Sequence, residues 1–117
     1  MNLSMSLTNE PEPLRAIWEQ MRDPLRADGY HVLDGDGSPR AIAEAAGALA
    51  TVMLTEQTAR GRPDPVQLAT AGALATLATA ARLVDAAEAR DVEAAHRAAS
   101  LALDLFTAAA EARTSSR

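Results

Sequence analysis

Cysteine and lysine are both absent from this 117-residue chain, and the aromatic rings are one Trp, one Tyr and one Phe. Without cysteine there is no disulfide, no thiolate nucleophile and no Cys-ligated zinc. No long apolar run exists either. The least polar stretch, 66–81, is rich in Ala and Thr and falls short of the roughly 20 strongly apolar residues a membrane span needs. The N-terminus lacks a basic stretch followed by an apolar one, so no signal peptide is expected. The missing lysine, set beside abundant Ala and Arg, reads as base-composition bias in a bacterial genome. The expected setting is cytoplasmic, with no membrane association.

Charge of one sign is also short. The net charge is −5, and all 11 basic residues are Arg. An acidic domain lacks the electrostatic footprint of a general nucleic-acid binder. Arg15, Arg22, Arg26 and Arg40 gather in the first third, but acidic residues interleave with them. A helix-turn-helix would need a short helix pair with a basic recognition helix, which the pattern does not offer. Nucleic acid is therefore not expected as a partner.

What is abundant is alanine, which supplies 28 of the 56 hydrophobic residues, with 14 Leu next. Alanine is the best helix former. Its small side chain lets helices approach toward the short end of the roughly 8–10 Å packing range. A buried Leu contributes roughly 1.5–3 kcal/mol and an Ala much less. The core is thus adequate in area but thin in bulk, and burial against a second copy would thicken it.

Periodicity gives four helices. Residues 1–8 read as a flexible tail. Asn9, with Glu12 three positions on and prolines in the first turn, marks a helix start. Leu14, Ile17, Trp18, Met21 and Leu25 form one narrow stripe, and Pro24 should end or kink that helix near Arg22. Residues 29–38 are the one non-helical stretch. Tyr30-His31-Val32-Leu33 reads as extended, and Asp34-Gly35-Asp36-Gly37 as a turn. Ser38-Pro39 is a cap followed by proline in the first turn.

The second helix is expected over 39–60, stopped by Gly61, with Ile42, Ala45, Ala46, Leu49, Val52 and Met53 inward. Asp64-Pro65 starts the third, expected over 65–89. Val66, Thr70, Leu74, Leu77, Ala81 and Val84 lie on one side, and Leu68, Gly72, Thr79 and Leu83 on the other. A helix apolar nearly all round is normally central. Asp91 should cap the fourth, expected over 92–113. Its apolar surface runs from Leu101 and Leu105 through Phe106 to Ala99 and Leu103, more than one neighbour covers. Helices three and four should pair antiparallel. The expectation is an all-α, alanine-rich, antiparallel four-helix bundle, a single domain over 9–113, with a tail at 114–117.

Two local resemblances add little. Asp91-Val92-Glu93-Ala94-Ala95 through Ala102-Leu103-Asp104-Leu105 resembles the second helix of a tetratricopeptide repeat. The helix before it lacks that family's Leu-Gly and aromatic positions, and one unit makes no solenoid. Leu25 to Leu33, followed by Asp36-Gly37, is similar to the second-strand region of response-regulator receiver domains. After residue 38 only helices follow, so the resemblance assigns no fold.

The candidate chemistry is sparse. Glu93-x-x-His96 has the spacing of a helical di-iron ligand pair, but such centres need two pairs and further carboxylates. The alternative is a boundary histidine beside a surface Glu93 paired with Arg97. Asp34-Gly35-Asp36-Gly37-Ser38 fits no calcium-loop register. Glu56 continues the stripe of Ile42, Leu49 and Met53, where a carboxylate is costly unless paired. It either reaches water, faces a pocket, pairs with an Arg from a partner, or pairs with Arg60 one turn on. Trp18 belongs on the core stripe. Tyr30 and His31 alternate in a loop on a rigid scaffold, where recognition surfaces sit.

No nucleophile–base–orienter set can be assembled, so no catalytic residue is assigned, and no cofactor. The leading expectation is a protein that acts by association, as a homodimer, accessory subunit or adaptor. The alternative is a small-molecule-binding regulator with a pocket among Trp18, Glu56, Arg60 and His96. The third reading is a metal-dependent helical enzyme using Glu93, His96 and Glu56.

Overall fold

The computed structural model describes residues 12–32, 35, 37–62, 64–86 and 89–115. Among the described residues there are four helices: α1 (Glu12–Ala27), α2 (Pro39–Arg60), α3 (Pro65–Asp85) and α4 (Ala89–Ser115). The 61–64 and 86–88 connections are too short to do anything but reverse the chain, so α2, α3 and α4 run antiparallel in succession. α3 packs closely on both α2 and α4, and α1 closes the bundle against α4 and α2. The expected all-α bundle is what forms.

The caps explain most of the boundaries. The Ser38 hydroxyl accepts from the Ala41 amide at 3.2 Å, with Pro39 in the first turn. Asp64 accepts from the amides of Val66 and Gln67 at 3.1 and 3.4 Å. Gly61 ends α2 in the left-handed conformation. Each satisfies backbone groups that a helix end leaves without internal partners.

α1 departs from expectation. Its proposed start at Asn9 lies outside the described residues. Pro24 does not end it: the helix runs through to Ala27. Proline cannot donate to the Gln20 carbonyl and crowds it, a cost of about 3 kcal/mol in a helix interior. Two features beyond Pro24 hold the last turn on. Leu25 is buried. Past the end, the Tyr30 amide donates to the Leu25 carbonyl and the Gly29 amide to the Arg26 carbonyl. This is a Schellman closure, which needs the positive φ of 96° that Gly29 supplies. The stop signal is Gly29, and the proline is tolerated upstream of it.

Three further boundaries differ. Tyr30, His31 and Val32 are irregular and not a strand, because no second strand exists among the described residues to pair with them. Leu33, Asp34 and Asp36 of the expected extended segment and turn lie outside the described residues. α3 stops at Asp85, ahead of the expected 89. α4 begins at Ala89, so Asp91 lies within its first turn instead of capping it, and the helix reaches Ser115.

The core has two textures. Leu14, Ile17, Trp18, Met21 and Leu25 of α1 are all buried, as the stripe predicts. Between α2, α3 and α4 the buried surface is mainly alanine, with Leu49, Met53, Leu74, Leu77, Val84 and Phe106 set into it. Thr70 is buried and stays satisfied because its hydroxyl donates to the Val66 carbonyl at 3.0 Å. The central position of α3 covers only part of its circumference. Leu68 and Leu83 are exposed, as is Val52 on α2. Of the wide apolar surface of α4, Phe106 and Ala99 are buried, but Leu101 and Leu105 are not. None of the described helices is long and apolar enough to cross a membrane.

Candidate functional site

Three places have enough definition to act. The first is a polar clasp where the α2–α3 turn meets Tyr30. Gln57, on α2, is buried. Its carbonyl oxygen accepts from the Asp64 amide at 2.6 Å, and its amide donates to the Gln67 carbonyl oxygen. The Gln67 amide in turn donates to the Tyr30 hydroxyl at 3.0 Å and to Glu56 Oε1 at 2.7 Å. Both N–H groups of Gln67 are thereby used. This network links the end of α2, the start of α3 and the segment after α1. Its work is positional.

The sequence-based candidates land around this clasp in altered roles. Tyr30 is half-buried and held by Gln67, while His31 beside it is exposed. Glu56 is exposed rather than stripe-buried; the inward face of α2 turns toward Ala43, Ala50 and Gln57. Arg60 reaches Asp64 at 3.3 Å and not Glu56, and both partners are half-exposed, where such a pair contributes little. Gln57 and Gln67 were missed. The available signal was that Gln57 follows Met53 by one turn on the apolar stripe.

An expected result follows from the accounting. Gln57→Ala leaves the Asp64 amide and the Gln67 carbonyl oxygen without their partner, which costs about 1–3 kcal/mol. Urea unfolding measures it. A loss under about 0.5 kcal/mol, the range of ordinary surface changes, would show that water replaces the clasp freely.

The second place is a cleft of about 280 Å³ between α1, the loop and the start of α2, lined by Arg15, Trp18, Glu19, Arg22, Gly37 and Ile42 among others. Trp18 is 4% exposed, so it is a core residue with one edge toward the cleft. Arg15 Nε donates to the Gly37 carbonyl at 3.3 Å. Gly37 has φ +80°, and a Cβ there would lie 2.8 Å from Arg15 Nε. The backbone conformation therefore favours glycine, and a larger residue would also make the Arg15 side chain shift. Arg22 Nε is buried without a hydrogen bond, and the Asp23 carboxylate lies 3.8 Å away. The volume is at the lower edge of ligand-sized cavities.

The third place is the outer face of α4. Leu101 is 67% exposed and Leu105, one turn on, 43%. Ala94, Ala108 and Ala112 are exposed on the same side and Ala98 is half-buried. The inner face of this helix is already covered by α3 and α1, and Leu101 in particular is left mostly in water.

The metal candidates are not drawn together. Glu93 is exposed and lies 3.8 Å from Arg97. His96 is half-buried, its Nε2 enclosed without a hydrogen-bond partner. Among the described residues no group of three or more His, Asp or Glu could hold a metal ion, so this pair lacks the further ligands a di-iron centre requires. Glu56 and Arg60 sit at the clasp, on α2, and neither lines the Trp18 cleft. Compared with family models, curated proteins and solved structures, the chain has no significant match in any of the three, and its own residues alone carry the functional argument.

Proposed function

We propose that this protein works by association with other protein surfaces, as a homodimer, accessory subunit or adaptor, through the outer face of α4. The observation that carries this reading is the pair Leu101 and Leu105, exposed one turn apart on a helix whose inner face is fully used. Contiguous exposed apolar surface on a small domain marks an interaction site. The thin, alanine-dominated core points the same way, since a partner adds apolar burial that the monomer lacks. A non-enzymatic role is part of this reading. A bacterial cytoplasmic setting belongs to the same proposal and rests on composition.

Native mass spectrometry on protein purified gently from its host tests it. A dimer or mixed complex with no extra small mass is expected. A monomer carrying a bound small molecule would overturn the reading in favour of the cleft at Trp18, which is the one observation supporting a ligand-binding regulator. Quenching of the single tryptophan by that molecule would then locate it.

A further inference from the structure

Along this flank of α4 lie Ala94, Leu101, Leu105, Ala108 and Ala112, all exposed, with Ala98 half-buried and packed in part against the core. Their spacing alternates four residues and three, the heptad pattern of a coiled-coil seam. It also reads the same from either end. Reversing the helix about the level of Leu103 places Leu101 on Leu105, Ala98 on Ala108 and Ala94 on Ala112. Large residues meet at the centre and small residues meet at both ends. A two-fold interface requires this self-complementarity, because each patch must fit its own copy.

Charge along the edge of the seam has a similar symmetry, centred one residue on at Asp104. Arg97, Asp104 and Glu111 are exposed at seven-residue intervals. The two-fold sets Arg97 against the partner's Glu111 on both sides of the centre. It sets Asp104 against the partner's Asp104 at the centre. In a parallel pairing Arg97 and Asp104 would instead face the positions five residues on in the second copy, which are alanines (102 and 109), and no ion pair would form. Arg97 is 3.8 Å from Glu93 in the monomer, with both side chains well exposed. A contact of that kind is weak, and the guanidinium has donors to spare for a second carboxylate.

On the association reading above, we infer that the partner is a second copy of this chain, seated antiparallel on α4 with its two-fold axis level with Leu103. The seam is about 27 Å long at 1.5 Å per residue. Alanine at its ends lets the two helices approach closely there. The opposed Asp104 pair weakens the dimer and holds it reversible.

The absence of cysteine makes a clean test. Asp104→Cys is expected to cross-link to itself with a short bis-maleimide. Arg97→Cys is expected not to, because its copy lies about 18 Å away along the axis at 1.5 Å per residue. Arg97→Cys mixed with Glu111→Cys is expected to link. In sedimentation equilibrium, Leu101→Glu abolishes the dimer. Arg97→Glu weakens it roughly tenfold or more, since two modest attractions become repulsions. Asp104→Asn tightens it about threefold, the value of one repulsion across water at about 7 Å. That gain also shows that exposed changes on α4 leave the fold intact.

The two ideas fail separately. Self-linking of Arg97→Cys, or a dimer that ignores Leu101→Glu, overturns the antiparallel seam and leaves association standing. So does a chain that is monomeric alone yet binds a different protein through this face. A monomer at all concentrations, with no partner recovered, overturns both.

Discussion

Leu74→Ala is expected to lower the unfolding free energy by about 2–5 kcal/mol, with the result at the upper end. Leu74 lies midway along α3, fully enclosed, and α3 packs closely against both α2 and α4. Part of the loss is transfer free energy, and part is the cavity that stays open. The second part is large here because α3 presents Ala71, Ala73 and Ala78 beside it. An alanine has no rotamer with which to fill a hole. For a domain of this size each kcal/mol moves the melting temperature by roughly 4–8 °C. Chemical denaturation with an unchanged m value would isolate the stability term. A loss below about 1 kcal/mol, less than any value in the usual range for this change, would mean that the helices slide together and that the alanine interfaces are not close-packed.

Trp18→Ala is the second large effect, about 3–5 kcal/mol. The indole belongs to the stripe that fastens α1 to the bundle and is almost wholly buried. α1 makes sparser contact than α3, resting on α4 and α2, so it depends on a few bulky anchors. The salt bridge of Arg113 to Asp28 at 2.7 Å adds a link between the ends of α4 and α1. It is partly exposed, so it does not replace the apolar contact. The same substitution enlarges the cleft that Trp18 borders. Circular dichroism during urea unfolding measures the loss, because the variant has no tryptophan to report it. A loss under about 1 kcal/mol, far below the usual cost of truncating a buried tryptophan, would mark Trp18 as a ligand platform and not an anchor.

The two experiments also separate core from surface. Leu74 and Leu101 are the same residue type on adjacent helices. Leu74→Ala is a folding defect, whereas Leu101 changes act on association and leave the folded monomer within about 0.5 kcal/mol of its starting stability.

Much of the fold was legible because local chemistry fixes helix ends wherever a cap is complete. Ser38-Pro39, Gly61 and Asp64-Pro65 each supply the needed donor, acceptor or φ within a few residues, and each ends or begins a helix as expected. The stripe of α1 was legible for a similar reason, since a narrow apolar face admits only one orientation. Pro24 misled because its penalty is local while its compensation comes from the burial of Leu25 and the closure at Gly29. Asp91 misled because a capping residue type two positions inside a helix looks, in sequence, like the cap itself.

Less of the candidate site was legible. Glu56 and Gln57 both lie near the α2 stripe, and one residue of rotation decides which goes inside. That rotation is set by how α2 packs on α3, and the result buries the neutral amide and exposes the carboxylate. The clasp through Gln67 to Tyr30 joins residues 37 apart in the chain, a pairing that no local pattern encodes. Arg60 found Asp64 rather than Glu56 because the turn at Gly61 brings the cap of α3 back beneath it.

Composition and helical period by themselves determined the class of the fold, the number of helices and the caps that join α2 to α3, since these depend on interactions within a few residues along the chain. Only the tertiary structure decided which apolar residues are spare. In sequence, Leu101 and Leu105 are equivalent to Leu74 and Leu77. The arrangement of α1 and α3 around α4 buries one set of side chains and leaves the other in water. Apolar area without a neighbour is a property of packing, and it is that area which carries the functional proposal.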